Sequence, residues 1–229
     1  MSIEFFDVMK RFGDHEVLRG ARWNVPTRAC GVILGANGTG KSTLLRILVS
    51  LAVPDSGTTR LAGATTPLQR RRVTGFVGHT PPLTPALSVE DNLRFRARLA
   101  GVPSEGAALD EWLGLYDLAP MREKLARSLS RGQAQRVALA SVEIGAAPVV
   151  LLDEPFTGLD VEHSERLAGR IQAWREAGRT VLLTTHDVAR GLDVADCVAV
   201  LTAGKVFEVP QEERRAPDAL QRLHRVLAG

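Results

Sequence analysis

Cysteine is scarce in this chain, and this scarcity limits the kinds of binding site that the protein can contain and the cell compartment in which it is expected. The 229 residues contain two cysteines, Cys30 and Cys197, which lie in separate apolar runs without a Cys-x-x-Cys pair or a nearby histidine. A disulfide framework or a thiolate metal site needs more cysteines at closer spacing. We therefore expect both thiols to be reduced core residues of a cytosolic protein.

Long apolar runs and basic clusters are also missing. No apolar stretch reaches the roughly 18–20 residues of a membrane span, and Met1 to Glu4 lack the regions of a signal peptide. The net charge of +3 is small and the arginines are scattered, which gives no sign of a nucleic-acid surface. We expect a soluble chain that binds no nucleic acid directly, so any role at a membrane requires partner subunits.

Glycine, by contrast, is frequent in the segment from Gly35 to Thr43, where three of nine residues are glycine. This segment fits the phosphate-binding pattern G-x-x-x-x-G-K-[ST], and an apolar run, Cys30 to Leu34, precedes it. Glycines let the backbone N–H groups point at phosphate oxygens, the lysine supplies a charge, and the serine hydroxyl reaches Mg²⁺. The residues assigned to this nucleotide site are Gly35, Asn37, Gly38, Gly40, Lys41, Ser42 and the neighbouring Thr43, with Ser42 also a metal ligand.

Two adjacent carboxylates follow a second apolar run. Val149 to Leu152 is typical of a strand buried in a parallel sheet, and Asp153 and Glu154 come directly after it. At the active edge of such a sheet, Asp153 is expected to help hold Mg²⁺ and Glu154 to polarise the attacking water. The alternative is a solvated acidic turn before Pro155.

The pattern along the chain predicts an α/β fold with a mostly parallel sheet, because strand and helix signals alternate. Residues 3–9 and 21–25 alternate as strands of an N-terminal antiparallel β subdomain, whereas residues 84–147 carry helical periods and no strand signal. No linker or repeat divides the chain. We expect one domain over residues 1–229, with a nucleotide-binding core (1–83 and 148–229) and an inserted helical subdomain (84–147).

Together these motifs resemble the ATPase subunit of ATP-binding cassette (ABC) transporters over nearly the whole chain. Besides the phosphate loop and acidic strand, Leu129–Gln133 resembles the family signature, Gly158–Asp160 the loop after the acidic strand, and Thr184–Asp187 the switch-histidine segment. Each short motif is weak alone, but their order and spacing make them specific together.

The resemblance implies roles for further residues, with ATP and Mg²⁺ as cofactors. Phe12 would stack on adenine, and His186 would sense the γ-phosphate. Ser130, Gly132 and Gln133, at the start of a helix, would close on the ATP of an opposite subunit, and Asp160 would join the two sites. The implied assembly is a homodimer, or a heterodimer with a second ATPase subunit, bound to transmembrane transporter subunits at the cytoplasmic face of the membrane.

Two positions depart from the family pattern. Arg131 stands where many members have glycine, and we expect it to face solvent. His79 lies where the family has a glutamine that touches Mg²⁺, so we assign it to the metal site. Gly78 to Pro81, with Leu87 to Phe95 and Leu152 to Thr157, is similar to the ATPase of the cytochrome c maturation haem exporter.

The predicted function is therefore ATP hydrolysis that drives a membrane transporter, in its narrowest form a haem exporter. The alternatives are an ABC transporter with another cargo and a soluble relative that remodels nucleic acid or ribosomes, although such relatives carry tandem cassettes or a coiled-coil insertion. A regulatory module without turnover would lack Glu154, and a nucleotide kinase would lack the signature at 129–133.

Overall fold

Two sheets of different character organise the chain. The computed structural model describes residues 2–216 and 218–228. Its strands, in chain order, are β1 (Ile3–Phe12), β2 (His15–Val25), β3 (Cys30–Leu34), β4 (Ser56–Leu61), β5 (Thr74–Val77), β6 (Val149–Asp153), β7 (Thr180–Thr185), β8 (Cys197–Thr202) and β9 (Lys205–Val209).

Strands and helices alternate through most of the chain. The helices are α1 (Lys41–Leu48), α2 (Pro67–Arg72), α3 (Val89–Ala100), α4 (Ala107–Leu115), α5 (Arg131–Gly145), α6 (Val161–Glu176), α7 (Val188–Val194), α8 (Gln211–Arg215) and α9 (Ala219–Ala228). None of these helices is both long and apolar enough to cross a membrane, as judged over the described residues.

The larger sheet has the order β5-β6-β7-β3-β8-β9 and is parallel except for β9, which runs antiparallel to β8. Its central strands β3, β6 and β7 are buried along their whole length. Alternate residues of β3 face two separate cores: Val32 packs with the cluster that includes α5 and α6, and Ile33 with the cluster that includes α1. The predicted α/β fold with a mostly parallel sheet is confirmed.

The smaller sheet has the order β2-β1-β4 and is antiparallel throughout. The predicted strands 3–9 and 21–25 were too short, because the β1–β2 hairpin continues to the pair Phe12–His15. Register shifts interrupt β1 after Phe5 and again before Arg11, and Asp7 has a φ of 47°. These irregularities break the alternation of apolar and polar residues on which the prediction depended.

The segment between β5 and β6 is helical, as the sequence predicted. Helix α3 begins at Val89 because the Ser88 hydroxyl accepts the Asp91 N–H at 3.0 Å. Helix α5 has a full capping box between Ser130 and Gln133 and ends before Pro148. Its buried residues include Val137, Leu139, Val142 and Ile144, which lie in the segment predicted to be helical.

Candidate functional site

Three neighbouring strand ends bring the predicted site residues together. Strands β6, β7 and β3 are adjacent and parallel, so that Asp153 pairs with Thr184 and Leu34 with Thr185. The phosphate loop leaves β3, the acidic pair ends β6, and His186 follows β7. Their proximity is therefore a direct consequence of the sheet order.

The phosphate loop has the backbone geometry that its glycines predict. Gly38 and Gly40 have φ values of 82° and 105°, in the left-handed region that favours glycine, and Gly40 is the N-cap residue of α1. A Cβ atom on Gly35 would lie 2.9 Å from the carbonyl oxygen of Leu201, so a larger residue would displace the loop. No acidic residue lies in the first turn of α1, which leaves its positive end available to an anion.

Lys41 is buried at the base of this loop. Its Nζ donates to the carbonyl oxygens of Gly35 at 2.6 Å and Ala36 at 3.0 Å, and it lies 3.1 Å from Glu154 Oε1 in an ion pair. The lysine side chain is 5% exposed and the glutamate 10%. A cation held this way among loop carbonyls is well placed to meet a phosphate group.

Glu154 connects the lysine to the histidine. Its Oε2 atom lies 2.9 Å from His186 Nδ1 and accepts the His186 backbone N–H at 3.4 Å. The backbone of Glu154 has a φ of 51°, an unusual conformation for a non-glycine residue, and its N–H donates to Thr184 O at 3.0 Å. Lys41, Glu154 and His186 thus form one chain of polar contacts.

Asp153 makes a separate contact with a neighbouring strand. Its carboxylate is 3% exposed and accepts the Thr184 hydroxyl at 2.8 Å. A serine hydroxyl and a carboxylate are hard oxygen ligands of the kind that Mg²⁺ prefers, so Ser42 and Asp153 fit this metal once nucleotide phosphates supply further oxygens. Over the described residues, no three His, Cys, Asp or Glu side chains form a metal-binding group.

Most of the predicted site residues line one cavity of about 570 Å³, a size that suits a nucleotide. The predicted residues among its walls are Phe12, Asn37, Gly38, Gly40, Lys41, Ser42, Thr43, His79, Glu154 and His186. The walls also include His15, Val17, Arg131 and Thr157, which the sequence analysis did not assign to the site. Phe12 is 55% exposed, and Lys10 Nζ lies 5.3 Å from its ring centre.

Three residues of the signature, Ser130, Gly132 and Gln133, lie outside this cavity's lining. Ser130 and Gln133 cap α5, since the Ser130 hydroxyl accepts the Gln133 N–H at 3.3 Å and the Gln133 side chain accepts the Ser130 N–H at 3.0 Å. Gly132 packs against the loop after β6, where a Cβ atom would lie 2.5 Å from Gly158 O. These residues therefore present the start of α5 without touching the phosphate loop's cavity.

Asp160 caps the next helix. Its carboxylate accepts the His163 backbone N–H at 2.9 Å and lies 2.7 Å from His163 Nδ1. These two contacts with His163, the backbone one first, hold the pKa of Asp160 below its ordinary value. The roles predicted for Asp160 and the signature residues stay predictions.

Arg131 occupies a position that the sequence analysis did not foresee in full. The residue is exposed, as expected, but its guanidinium Nη2 lies 3.2 Å from Nε2 and 3.4 Å from Nδ1 of His79. Both side chains line the cavity. Helix α5 thereby reaches the segment after β5 across the cavity wall.

Comparison with known proteins identifies the family. The family model described as ABC transporter matches residues 18–157. The chain belongs to the ABC transporter family. The prediction of this family from the motif order is confirmed.

The curated relatives of this ABC protein transport different cargoes, by their names. The sulfate/thiosulfate import ATP-binding protein CysA of Mycobacterium tuberculosis is 38% identical over 89% of the chain and 59% of that protein. The aliphatic sulfonates import ATP-binding protein SsuB 2 of Xanthomonas axonopodis is 37% identical over 92% of the chain and 72% of that protein. Nod factor export ATP-binding protein I of Ralstonia nicotianae is 33% identical over 86% of the chain and 63% of that protein. The chain thus spans about three fifths of the length of the sulfate relatives.

Solved structures share the whole fold. The structure of an ATP-binding subunit of an ABC transporter superposes with a TM-score of 0.88 at 25% identity and covers all of both chains. A dimeric ATP-binding cassette bound to ADP and Pi superposes with a TM-score of 0.81 at 24% identity over 90% of this chain and 97% of that one. The arrangement of the two sheets and the helical segment is therefore that of an ATP-binding cassette.

Proposed function

We propose that the chain hydrolyses ATP and thereby drives a membrane transporter. The observation that carries this proposal is the contact chain Lys41–Glu154–His186, which lies in the wall of a cavity beside a phosphate-binding loop. A buried cation, a carboxylate and an imidazole in contact are the groups that hold a phosphate and activate a water next to it. Family membership supports the same activity.

Each residue has a distinct part in this mechanism. The N–H groups of the loop and Lys41 hold the phosphates, while Ser42 and Asp153 hold the metal, with His79 assigned to the same metal site. When bound, Mg²⁺ supplies charge that offsets the charge of the β- and γ-phosphates. Glu154 accepts a hydrogen bond from the attacking water, and His186, at 2.9 Å from it, orients that carboxylate toward the terminal phosphate.

Two substitutions test the proposal. Lys41→Ala removes a phosphate contact and should weaken ATP binding about tenfold or more, because charge-assisted hydrogen bonds contribute about 1.5–3 kcal/mol. Glu154→Gln keeps the shape of the side chain but not its basicity, so it should bind ATP and lose hydrolysis about 100-fold or more. Equilibrium nucleotide binding and phosphate release, both with Mg²⁺, measure the two effects. Full turnover by a folded Glu154→Gln variant would exclude Glu154 as the activating residue.

The active form proposed here is a pair of chains. Ser130, Gly132 and Gln133 do not line the cavity of their own chain, and the first turn of α5 has further N–H groups, outside its capping box, that can meet an anion. They are therefore available to the nucleotide of a second copy, with Asp160 beside them at the start of α6. A homodimer satisfies this arrangement, and a heterodimer with a second ATPase subunit would do so equally.

The surface of the helical segment supports a membrane partner. We assign residues 84–147 to a helical subdomain within the core formed by 1–83 and 148–229. A groove of about 300 Å³ runs beside α3, with Pro82, Leu83, Phe95 and Leu99 among its walls. Phe95 is 53% exposed and Leu99 65%. An apolar groove of this kind suits a helix of a transmembrane subunit, which would hold the chain peripherally at the cytoplasmic face of the membrane.

The cargo is the least specific part of the proposal. Sequence similarity around His79 favours haem export for cytochrome c maturation, whereas the relatives described above are named for sulfate, sulfonate and Nod factor transport and give this cargo no support. Membrane proteins that co-purify with the tagged chain identify both the partner and the cargo class. Haem-handling proteins among them would support the narrow assignment, and a solute permease would replace it.

A further inference from the structure

Arg131 projects from the signature segment into the cavity of its own chain. Its backbone is fixed by the capping box at the start of α5, and its aliphatic part packs over Gly158, where a Cβ atom would lie 3.4 Å from Arg131 Cδ. The guanidinium then lies within 3.2 Å of His79. The side chain is therefore held at the cavity wall although it is exposed to solvent.

The charges around the cavity leave this guanidinium without an anion. Lys41 is paired with Glu154, but across residues 2–216 and 218–228 no carboxylate forms an ion pair with Arg131, and its polar contact is His79. The cavity wall thus carries two cationic side chains, one carboxylate and three imidazoles. A ligand with several negative charges complements this arrangement, and a guanidinium binds phosphate oxygens through two parallel hydrogen bonds.

We propose that Arg131 binds the terminal phosphate of the nucleotide that is held by the phosphate loop of its own chain. This inference rests on the proposed function, and it differs from the role given to Ser130 and Gly132, which act on the nucleotide of a second chain. The phosphate loop, Lys41, Glu154, His79 and Arg131 line the same cavity, so a terminal phosphate beyond those held by the loop N–H groups would lie in the cavity that Arg131 enters. A single chain would consequently distinguish ATP from ADP before it meets its partner.

The test is equilibrium binding of a non-hydrolysable ATP analogue and of ADP, each with Mg²⁺, at concentrations where light scattering shows monomers. Arg131→Gln should weaken binding of the triphosphate about tenfold or more, because charge-assisted hydrogen bonds of this kind contribute about 1.5–3 kcal/mol. Its affinity for ADP should change by less than about twofold. Arg131→Lys, which keeps the charge but not the paired hydrogen bonds, should fall between the two.

The matched control is Arg72→Gln, since Arg72 is an exposed arginine on α2 outside the cavity, and it should leave both affinities unchanged. Equal losses for ATP analogue and ADP, or no loss for either, would overturn the proposal. A loss that appears only when the chains dimerise would place the contact on the partner's nucleotide and overturn it as well. Lys41→Ala, measured in parallel, should lose affinity for both nucleotides, and wild-type protein that binds neither would instead overturn the proposed function.

Discussion

At the scale of single residues, Gly132 is the most tightly constrained member of the signature. A Cβ atom at this position would lie 2.5 Å from the carbonyl oxygen of Gly158, which is backbone and cannot rotate away. The close approach joins the start of α5 to the loop between Glu154 and Asp160. Glycine is therefore required here by packing, in addition to any contact with a nucleotide.

Gly132→Ala should accordingly lower both stability and hydrolysis. Overpacking of this kind costs about 1–3 kcal/mol, and relief of the clash requires the loop that follows Glu154 to move. Gly169→Ala is the control, because a Cβ atom on Gly169 in α6 would meet no other atom within 4 Å, and alanine favours a helix by about 0.5–1 kcal/mol. Thermal unfolding and phosphate release measure the pair. Equal stability of the two variants would show that the loop gives way freely.

The sequence predicted which residues share the cavity where a backbone motif fixes the side chain. Lys41 follows the phosphate loop and Glu154 follows a strand end, and both line the cavity, whereas their roles stay predictions. The position of the Arg131 side chain depends on the helix cap at Ser130 and on Gly158, which lies 27 residues further along the chain. A local sequence pattern therefore could not predict it. Thr184, which donates to Asp153, lies in a recognised motif, but its hydrogen bond depends on the pairing of β6 with β7.

At the scale of helices and strands, Glu143 joins α5 to α6. Its carboxylate accepts Trp174 Nε1 at 2.6 Å and the Tyr116 hydroxyl at 3.0 Å, and it pairs with Arg170 at 2.8 Å. Burial alone would raise the pKa of Glu143, but the hydrogen bonds from Arg170 and Trp174 outweigh burial and lower it. The ionised carboxylate therefore stabilises the contact between the helical segment and the core.

Glu143→Gln should lower the free energy of unfolding by about 2–3 kcal/mol at pH 7, because Arg170 then loses its charged partner. A carboxylate with a lowered pKa contributes fully above the pKa of an unfolded glutamate, about 4.3, and this contribution is lost as the pH falls through the folded value. The difference from wild type should therefore shrink below about pH 4. Urea unfolding at pH 7 and at a pH below about 4 measures this difference in the free energy of unfolding. Glu165→Gln, at an exposed position, is the control. If the difference in unfolding free energy between wild type and Glu143→Gln stayed constant with pH, the effect would come from side-chain packing and not from the charge of Glu143.

Two of the elements that the sequence analysis missed, β9 and α2, have identifiable reasons. Strand β9 was missed because its hairpin turn is Ala203-Gly204, with φ values of 48° and 77°, and alanine gives no signal for a left-handed turn. Helix α2 was missed although Thr66 and Gln69 form a capping box and Pro67 begins the helix. That signal was present in the sequence and could have been used.

At the scale of the whole molecule, the alternation of strand and helix signals was enough to predict the α/β fold, and the order of the motifs was enough to predict the family. The apolar strands β3, β6 and β7 could be recognised singly, but their adjacency in the order β6-β7-β3 could come from the sequence only through the resemblance. The arrangement of two chains lies beyond a single structure and stays a proposal, which a mixing experiment can decide.

Lys41→Ala and Ser130→Arg chains should each be inactive alone and should recover activity when mixed. In a dimer of one Lys41→Ala chain and one Ser130→Arg chain, both substitutions fall on the same composite site, and the other site is intact. If one intact site suffices, each mixed dimer should recover up to about half of the wild-type rate. Phosphate release across a series of mixing ratios measures the recovery, and two batches of Lys41→Ala protein mixed together are the control. A wild-type chain that turns over at full rate as a verified monomer would contradict the paired site.

In the proposed site, the ion pair between Lys41 and Glu154 would make nucleotide binding an exchange of one anion for another. Lys41 Nζ already lies 3.1 Å from the carboxylate of Glu154, so a phosphate group must compete with that carboxylate for the lysine. The affinity for nucleotide would then reflect the difference between the two interaction free energies. The same exchange frees the carboxylate only when the phosphate has arrived. If Glu154 is the activating residue, its ion pair with Lys41 would hold it out of reaction with water until a phosphate has taken its place.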